Sequence, residues 1–337
     1  MAGVDDGGIR DTEAAVGGPT VSVCMPMART ASEVRAAVMS VLGQKYRDFE
    51  LLIGDETGAA RALVTEIDDP RVDYRQNPER LGFSQNHRAL LDRARGRYMA
   101  VLHDDDRWEP EFLGRLVEVL DDDPEIGLAC CAVVLDRGRG GDHGERWPIA
   151  LRAGRNDGLL EVLLGEEWFM LQGNAVWRRE LWAGPARQWP ELCCGDLQFF
   201  LSMAEAGWPV YYLDQVLMTY SMHLGQSGAW RGADSGLGVA EDVLAFWEGW
   251  LRGRLDAQVA LTSLPRARWQ LRRARALVLA GRTADARRAV AAAQALGGPG
   301  LPQLRRLRLA VALPNPVVRG AVAFKRAVDG LRSGRRR

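Results

Sequence analysis

Residues 98–110, Tyr-Met-Ala-Val-Leu-His-Asp-Asp-Asp-Arg-Trp-Glu-Pro, constrain the fold more than any other stretch of the chain. The run from Tyr98 to Leu102 is apolar and of strand length, which suits a strand buried on both faces of a helix-covered sheet. It ends at three consecutive carboxylates, Asp104, Asp105 and Asp106. Adjacent carboxylates repel one another unless a cation or solvent compensates them. Open α/β sheets bind ligands outside the carboxyl ends of their strands, so the position suits a site. Oxygen donors of this kind favour Mg²⁺ or Mn²⁺, ions that commonly arrive with substrate phosphates. The plainer alternative is an acidic turn opening a helix, with Asp106 near its cap and Glu109 and Glu111 in its first turn. The flanking sequence decides between them.

Upstream, residues 21–26 read as a strand ended by Pro26, and Ser32 opens an amphipathic helix with Val34, Ala37, Val38, Val41 and Leu42 on one face. Residues 49–54 form a second strand that ends at Asp55. Strand, helix and strand at this spacing make a right-handed crossover unit, which brings Asp55 to the same sheet edge as the acidic triplet. A helix over about 57–67, a short strand over 72–75, a turn-rich loop over 77–82 and a helix from Ser84 to about Ala94 complete the half. Four strands separated by helices over residues 20–106 predict a nucleotide-binding α/β unit.

Downstream, residues 110–120 are an amphipathic helix stopped by Asp121, Asp122, Asp123 and Pro124, a second acidic run that reads as a solvated helix end. A strand over 127–135, a Gly/Arg/Asp-rich loop over 137–155, a helix over 158–164 and an extended segment over 169–177 follow. Asp196 opens a helix that ends at Gly207, and is either its cap or a general base. Strand-like runs over 210–213 and 216–220 lead to His223, one of four histidines, placed to meet a metal or a phosphate.

These pieces together resemble a family 2 glycosyltransferase of the GT-A fold, over about residues 20–228. Val21 to Pro26 resembles the family's first strand, and Ser40-Val41-Leu42-Gly43-Gln44-Lys45-Tyr46 its "S-V-L-x-Q-x-Y" helix end. The strand ending in Asp55 is similar to the one whose Asp meets the nucleotide base. The segment from Asn77 to Asn86 resembles the loop before the metal-binding strand, and Leu102 to Asp106 stands at the DxD position. Gly195-Asp196 stands where the family has Glu-Asp with its catalytic base, and Tyr220-Ser221-Met222-His223 where it has "Y-R-x-H". His103, Gly195 and Ser221 depart from the family's Asp, Glu and Arg.

The resemblance implies a mixed α/β sheet flanked by helices and an inverting, non-processive hexosyl- or N-acetylhexosaminyltransferase. No "Q-x-x-R-W" element of processive synthases is present. By resemblance, Asp196 is the base, and Pro26, Asp55, Asn86, Asp104 and Asp105 meet the nucleotide sugar, read as a UDP-sugar. Mn²⁺ or Mg²⁺ would sit on two of the three aspartates, Asp104 and Asp106 being the preferred pair, with support from His223. The rival readings are a nucleotidyltransferase and a sugar-nucleotide-binding scaffold protein. The first usually carries a Gly-rich, basic phosphate loop, whereas here Met27-Ala28-Arg29-Thr30 offers one Arg and no Gly.

Charge separates the last third from the rest. Residues 252–337 hold 20 basic and 3 acidic residues, a net +17 that offsets a net −17 elsewhere. Two helices over 267–280 and 283–296 resemble one tetratricopeptide-type hairpin, a unit that needs a neighbour to bury its apolar face. The expected layout is a disordered Gly-rich leader (1–19), the catalytic domain (20–228), a helical extension (229–303) and a basic tail (304–337). The tail suits an anionic membrane surface or a second copy of the chain, and its single aromatic residue, Phe324, argues against nucleic acid. The acceptor, whether glycan, peptide or small natural product, is not legible. Five cysteines without metal spacing, no apolar run of spanning length and no signal peptide predict a reduced, cytoplasmic protein, peripheral at the inner membrane face.

Overall fold

A computed structural model describes residues 18–28, 31–136, 144–165, 172–182, 195–222, 233–252, 262–297 and 302–312. The leader, Cys193 and Cys194, His223 and most of the basic tail lie outside the described residues.

The first half folds as its periodicity predicts. Strands β1 (Val21–Met27), β2 (Phe49–Asp55), β3 (Val72–Gln76) and β4 (Tyr98–Val101) alternate with helices α1 (Ala31–Leu42), α2 (Arg61–Ile67) and α3 (Phe83–Leu91). They pair in parallel in the order β3-β2-β1-β4, so all four carboxyl ends lie on one edge. The rest of the sheet is mixed. After a two-residue β5 (Arg107–Trp108) and helix α4 (Phe112–Asp122) come β6 (Leu128–Asp136), β7 (Gly154–Asn156), α5 (Leu159–Gly165) and β8 (Ala175–Arg178). Helix α6 (Gly195–Glu205) and strand β9 (Val210–Ser221) follow. The full order is β3-β2-β1-β4-β8-β6-β9-β5, with β7 also on β9. β8 is antiparallel to both β4 and β6, whereas β6 and β9 are parallel.

Side-chain alternation along each strand builds two cores, because successive residues face opposite sides of the sheet. Tyr98, Ala100 and Leu102 join α1, α2 and α4 on one face, while Met99 and Val101 join α3, α5 and α6 on the other. Two strand-like runs near residue 215 are one strand, β9, whose register against β6 shifts between Cys131 and Val133. The second acidic run lies near the amino end of β4, away from the triplet. There Asp121 accepts a 2.6 Å bond from the Tyr98 hydroxyl and pairs with Arg97, so it is a partnered helix end rather than a purely solvated one.

The helical extension is continuous with the larger core. Helix α7 (Ala233–Trp250) buries Val239, Val243, Trp247 and Trp250 in the same cluster as Phe199, Phe200 and Trp177, and Trp269 of α8 (Ser263–Leu279) joins them. The hydrophobic core therefore runs across residue 228. The hairpin expected over 267–296 is present as α8 and α9 (Thr283–Ala295), closed by α10 (Pro302–Ala312). Ala274, Ala286, Ala289 and Ala293 are fully buried between these helices. Small residues set this close approach, so Ala289→Leu should destabilise the protein by about 1–3 kcal/mol through overpacking, measured by urea unfolding. Among the described residues no helix is long and apolar enough to cross a membrane.

Candidate active site

The parallel strands deliver the acidic residues to one edge, and local hydrogen bonding then gives each a different task. Asp55 ends β2 and is 1% exposed. Its Oδ1 accepts the Thr57 and Gly58 N–H groups at 2.8 and 2.9 Å and the Thr57 hydroxyl at 3.1 Å. Its Oδ2 accepts the Ala60 N–H and the Tyr74 hydroxyl, each at 3.0 Å. Gly58 supplies the positive φ, +75°, that the turn requires. This is why α2 starts at Arg61 rather than near Thr57. Burial alone raises the Asp55 pKa, but these bonds outweigh it and hold the carboxyl below its usual range.

With five internal donors, Asp55 is the organiser of its loop, and a base N–H reaches it only by displacing one of them. Asp55→Asn keeps one acceptor oxygen and turns an NH₂ against the remaining donors, so it should cost about 1–3 kcal/mol at pH 7. A depressed folded pKa contributes stability above the ordinary value of 3.8 and loses it as pH falls through the folded value. The gap between wild type and variant should therefore narrow in acid, as read by denaturant unfolding at pH 7 and pH 3.

Asn86 is likewise committed to the chain. It is buried on α3, donates to the Gly54 carbonyl at 2.9 Å and accepts from Asn77 Nδ2 at 3.1 Å. Gly54 is needed there, because a Cβ would stand 2.4 Å from the Asn86 oxygen. Gln44, from the family-like helix end, is buried too: it donates to the Glu109 carbonyl at 2.8 Å and accepts the Leu113 N–H at 2.9 Å. It thus anchors the segment that follows the acidic triplet. Pro26 lies in β1 beside Gly54, at the same edge.

The triplet divides its labour. Asp104 accepts the Ala28 N–H at 2.8 Å, tying the end of β1 to the end of β4. Asp105 is half-buried. Asp106 is fully buried, because β5 pairs Arg107 with Thr219 and Trp108 with Met218 and so draws the preceding residue against the end of β9. The Ser221 N–H bonds its Oδ1 at 2.9 Å, whereas its Oδ2 has no hydrogen-bond partner. Burial, with Asp105 nearby, raises the Asp106 carboxyl to about 6 despite the opposing pull of His103.

Asp196 stands in the first turn of α6, half-buried, with Oδ1 accepting the Leu197 N–H at 3.0 Å. Burial raises it to about 7, partly offset by that bond and by the field of His103. Tyr220, on β9, is pushed well up by burial and then by Asp106, Asp105 and Asp196 together. Asp196, His103, Asp105, Asp106 and Tyr220 thus share one electrostatic environment, although residues 106 and 196 are far apart in sequence.

Sequence reasoning did not single out three polar neighbours of this site. His87 is buried on α3 and its Nε2 lies 3.3 Å from Nε2 of His103. Gln172 and Asn174 are buried in the turn before β8, flanking Gly173, whose carbonyl accepts the Trp108 indole N–H at 2.7 Å. Asn174 donates to the Cys131 carbonyl at 2.6 Å, while both amide atoms of Gln172 are without a partner. For Gln172 and Asn174 the signal in the sequence is polarity inside an otherwise apolar segment, whereas His87 lies in a polar run that gives none. Among the described residues no three His, Cys, Asp or Glu side chains form a metal cage by themselves.

Comparison with known proteins bears on the family and the fold. Residues 22–182 match the model of glycosyl transferase family 2, a span that ends before Asp196. A Bacillus subtilis (strain 168) protein named as a teichuronic acid biosynthesis glycosyltransferase, TuaG, is 24% identical over 222 residues, 64% of this chain and 84% of its own length. The chain spans 30–36% of the length of four other curated relatives it matches. Among solved structures, Staphylococcus aureus TarS in complex with UDP-GlcNAc superposes with a TM-score of 0.60 at 14% identity, covering 87% of this chain and 90% of that one. The mannosyltransferase PcManGT of Pyrobaculum calidifontis, in complex with GDP-Man and Mn²⁺, gives 0.55 at 20% identity, covering 94% and 88%. At these identities the structural likeness carries the fold. Residues 22–182 thus resemble glycosyl transferase family 2, within a chain that folds in the GT-A manner.

Proposed function

We propose that the protein is a non-processive, inverting glycosyltransferase that moves one sugar from a nucleotide-diphosphate donor, a UDP-sugar, to an acceptor hydroxyl with the help of Mn²⁺ or Mg²⁺. The observation that carries this reading is Asp196, raised to about 7 and placed in the same field as Asp105, Asp106, His103 and Tyr220. TarS and the mannosyltransferase, each solved with a nucleotide sugar, support the donor class.

A divalent ion fits the residues present. Asp106 Oδ2 is buried without a hydrogen-bond partner and has the His103 ring at 3.8 Å, so it has room to bond a cation directly. Such ions keep few protein ligands and complete their shells with substrate phosphates and water, so the lack of a protein cage is no obstacle. Asp106 and Asp104 would hold it, joined by His223 from outside the described residues. When bound, the ion would neutralise charge developing on the departing diphosphate.

The chain's own residues account for the other half of the reaction. Asp196 takes the proton from the acceptor hydroxyl as its oxygen bonds the anomeric carbon, while the bond to the diphosphate oxygen breaks on the opposite face. One such displacement inverts the anomeric centre. A carboxyl raised to about 7 is a stronger base than a free one and is still substantially ionised at neutral pH. Asp55, Asn86 and Asp104 keep the loops at the nucleotide end in place through the bonds described above. A screen of UDP-, GDP- and dTDP-sugars for donor hydrolysis with Mn²⁺ should single out a UDP-sugar. Absence of hydrolysis and of binding across the panel would remove the reading.

A further inference from the structure

We propose that the exposed arginine face of the helical extension, centred on Arg287, Arg308 and Leu309, docks the protein on an anionic lipid bilayer. Helices α8, α9 and α10 carry this inference by themselves, independently of the metal and the base assigned above.

The composition of the extension is one-sided. Residues 262–312 hold eleven arginines, no lysine and a single acidic residue, Asp285. Burial of the alanine-rich seams between the helices turns guanidinium groups outward, and Arg275, Arg282, Arg287, Arg288 and Arg308 are exposed. Asp285 offsets only part of this charge, pairing with both Arg282 and Arg288. Arg287 reaches from α9 to the Val311 carbonyl at 2.8 Å, so it stands beside the last turn of α10. The same end of α10 carries Arg308 and Leu309. At 66% exposure, Leu309 is the most exposed large apolar side chain among the described residues. The remaining 25 residues of the chain add seven basic side chains and one acidic one.

A guanidinium fork fits phosphate or carboxylate oxygens, so the occupant is a phosphate surface or an acidic protein face. A second copy of the chain is the nearest acidic candidate, because residues 1–251 carry a net −17. Many carboxylates there are already engaged: Asp73 pairs with Arg93, Asp121 with Arg97, Asp214 with Arg146, and Asp123 and Glu125 with Arg155. Taking them would break existing ion pairs, whereas lipid phosphates bring no such cost. Leu309 also favours the bilayer. An apolar side chain rimmed by arginines suits the headgroup boundary, where the leucine enters the acyl layer and the arginines meet phosphate. Trp247 of α7 and Trp269 of α8 share one core with Trp177 of β8, so the docking face is joined directly to the catalytic sheet.

The test is partition of the full chain onto sedimented vesicles, with phosphatidylcholine alone set against an equimolar mixture with phosphatidylglycerol. Wild type should bind the mixed vesicles, leave them as added salt screens the surface charge, and ignore the neutral ones. Arg308→Glu should weaken partition roughly tenfold or more, as expected for reversing one charge at an anionic surface. Arg308→Lys should bind as wild type does, and Leu309→Ser should weaken binding several-fold without changing its salt dependence. Both side chains are exposed, so unchanged melting temperatures should accompany these losses and exclude misfolding. Equal binding to neutral vesicles, no binding to either kind, or full binding by Arg308→Glu or Leu309→Ser would overturn the docking surface. Salt-sensitive dimerisation without vesicle binding would overturn it in favour of a second copy. None of these outcomes bears on the metal or the base.

Discussion

Asp196→Asn should lower kcat for sugar transfer on the order of 10²-fold or more while leaving UDP affinity unchanged. The substitution separates the two tasks open to a carboxylate in the first turn of α6. Asn keeps the Oδ1 acceptor that meets the Leu197 N–H at 3.0 Å, and Asn serves helix starts about as well as Asp. It removes only proton acceptance. The wild-type pH profile gives a second reading. Asp196 must be ionised to act, and burial has raised it to about 7, so kcat/KM should fall as pH drops below that value. The variant should lack this acid limb. The fold should tolerate the change near pH 8, because a carboxyl with a raised folded pKa contributes least stability when ionised. A kcat near normal would return Asp196 to a structural role.

Asp106→Asn should reduce transfer below detection and remove divalent-dependent UDP binding, yet raise the stability of the ion-free protein at neutral pH. Both effects come from one atom. Oδ2 is the buried oxygen left for a cation, while Oδ1 holds the Ser221 N–H at 2.9 Å, a bond that Asn also accepts. The folded pKa, about 6, stands above the ordinary 3.8. The favourable protonated state therefore holds below the ordinary value and is lost as pH rises through 6. At pH 7 the wild type carries a buried charge that the variant lacks, worth roughly 1–3 kcal/mol. Thermal unfolding in EDTA should show the variant melting higher at pH 7, with the difference shrinking near pH 4. Full activity of the wild type in EDTA, or a variant that still binds UDP in a Mn²⁺-dependent way, would contradict the assignment of Asp106.

The sequence by itself determined the layers and the edge. Apolar runs at Val21–Met27, Phe49–Asp55 and Tyr98–Val101, separated by helices of period 3.6, leave a parallel sheet as the economical solution. A parallel sheet puts Asp55 and the acidic triplet at one edge. It also showed that the hairpin of α8 and α9 needs a neighbour, since its apolar positions are mostly alanine. Other elements left little trace. β5 and β7, of two and three residues, are too short to carry a period. Three glycines in α7 (Gly236, Gly238 and Gly249) weaken its helical signal, and Trp247 and Trp250 compensate only through the core they reach.

Only the tertiary structure decided what each polar atom meets. Asp55 looks like a ligand residue in sequence, but its five donors come from the turn it closes and from Tyr74 on the next strand. Asp106 and Ser221 are 115 positions apart, His87 and His103 are 16 apart, and neither separation has a local pattern. Periodicity records which face of an element is buried, a property that each residue shares with its neighbours along the chain. A hydrogen-bond partner is fixed by where two distant backbones end. The departure of His103 from the family's Asp was visible in the sequence, whereas its neighbours, His87 Nε2 at 3.3 Å and Asp106 Oδ2 at 3.8 Å, are set only by the fold.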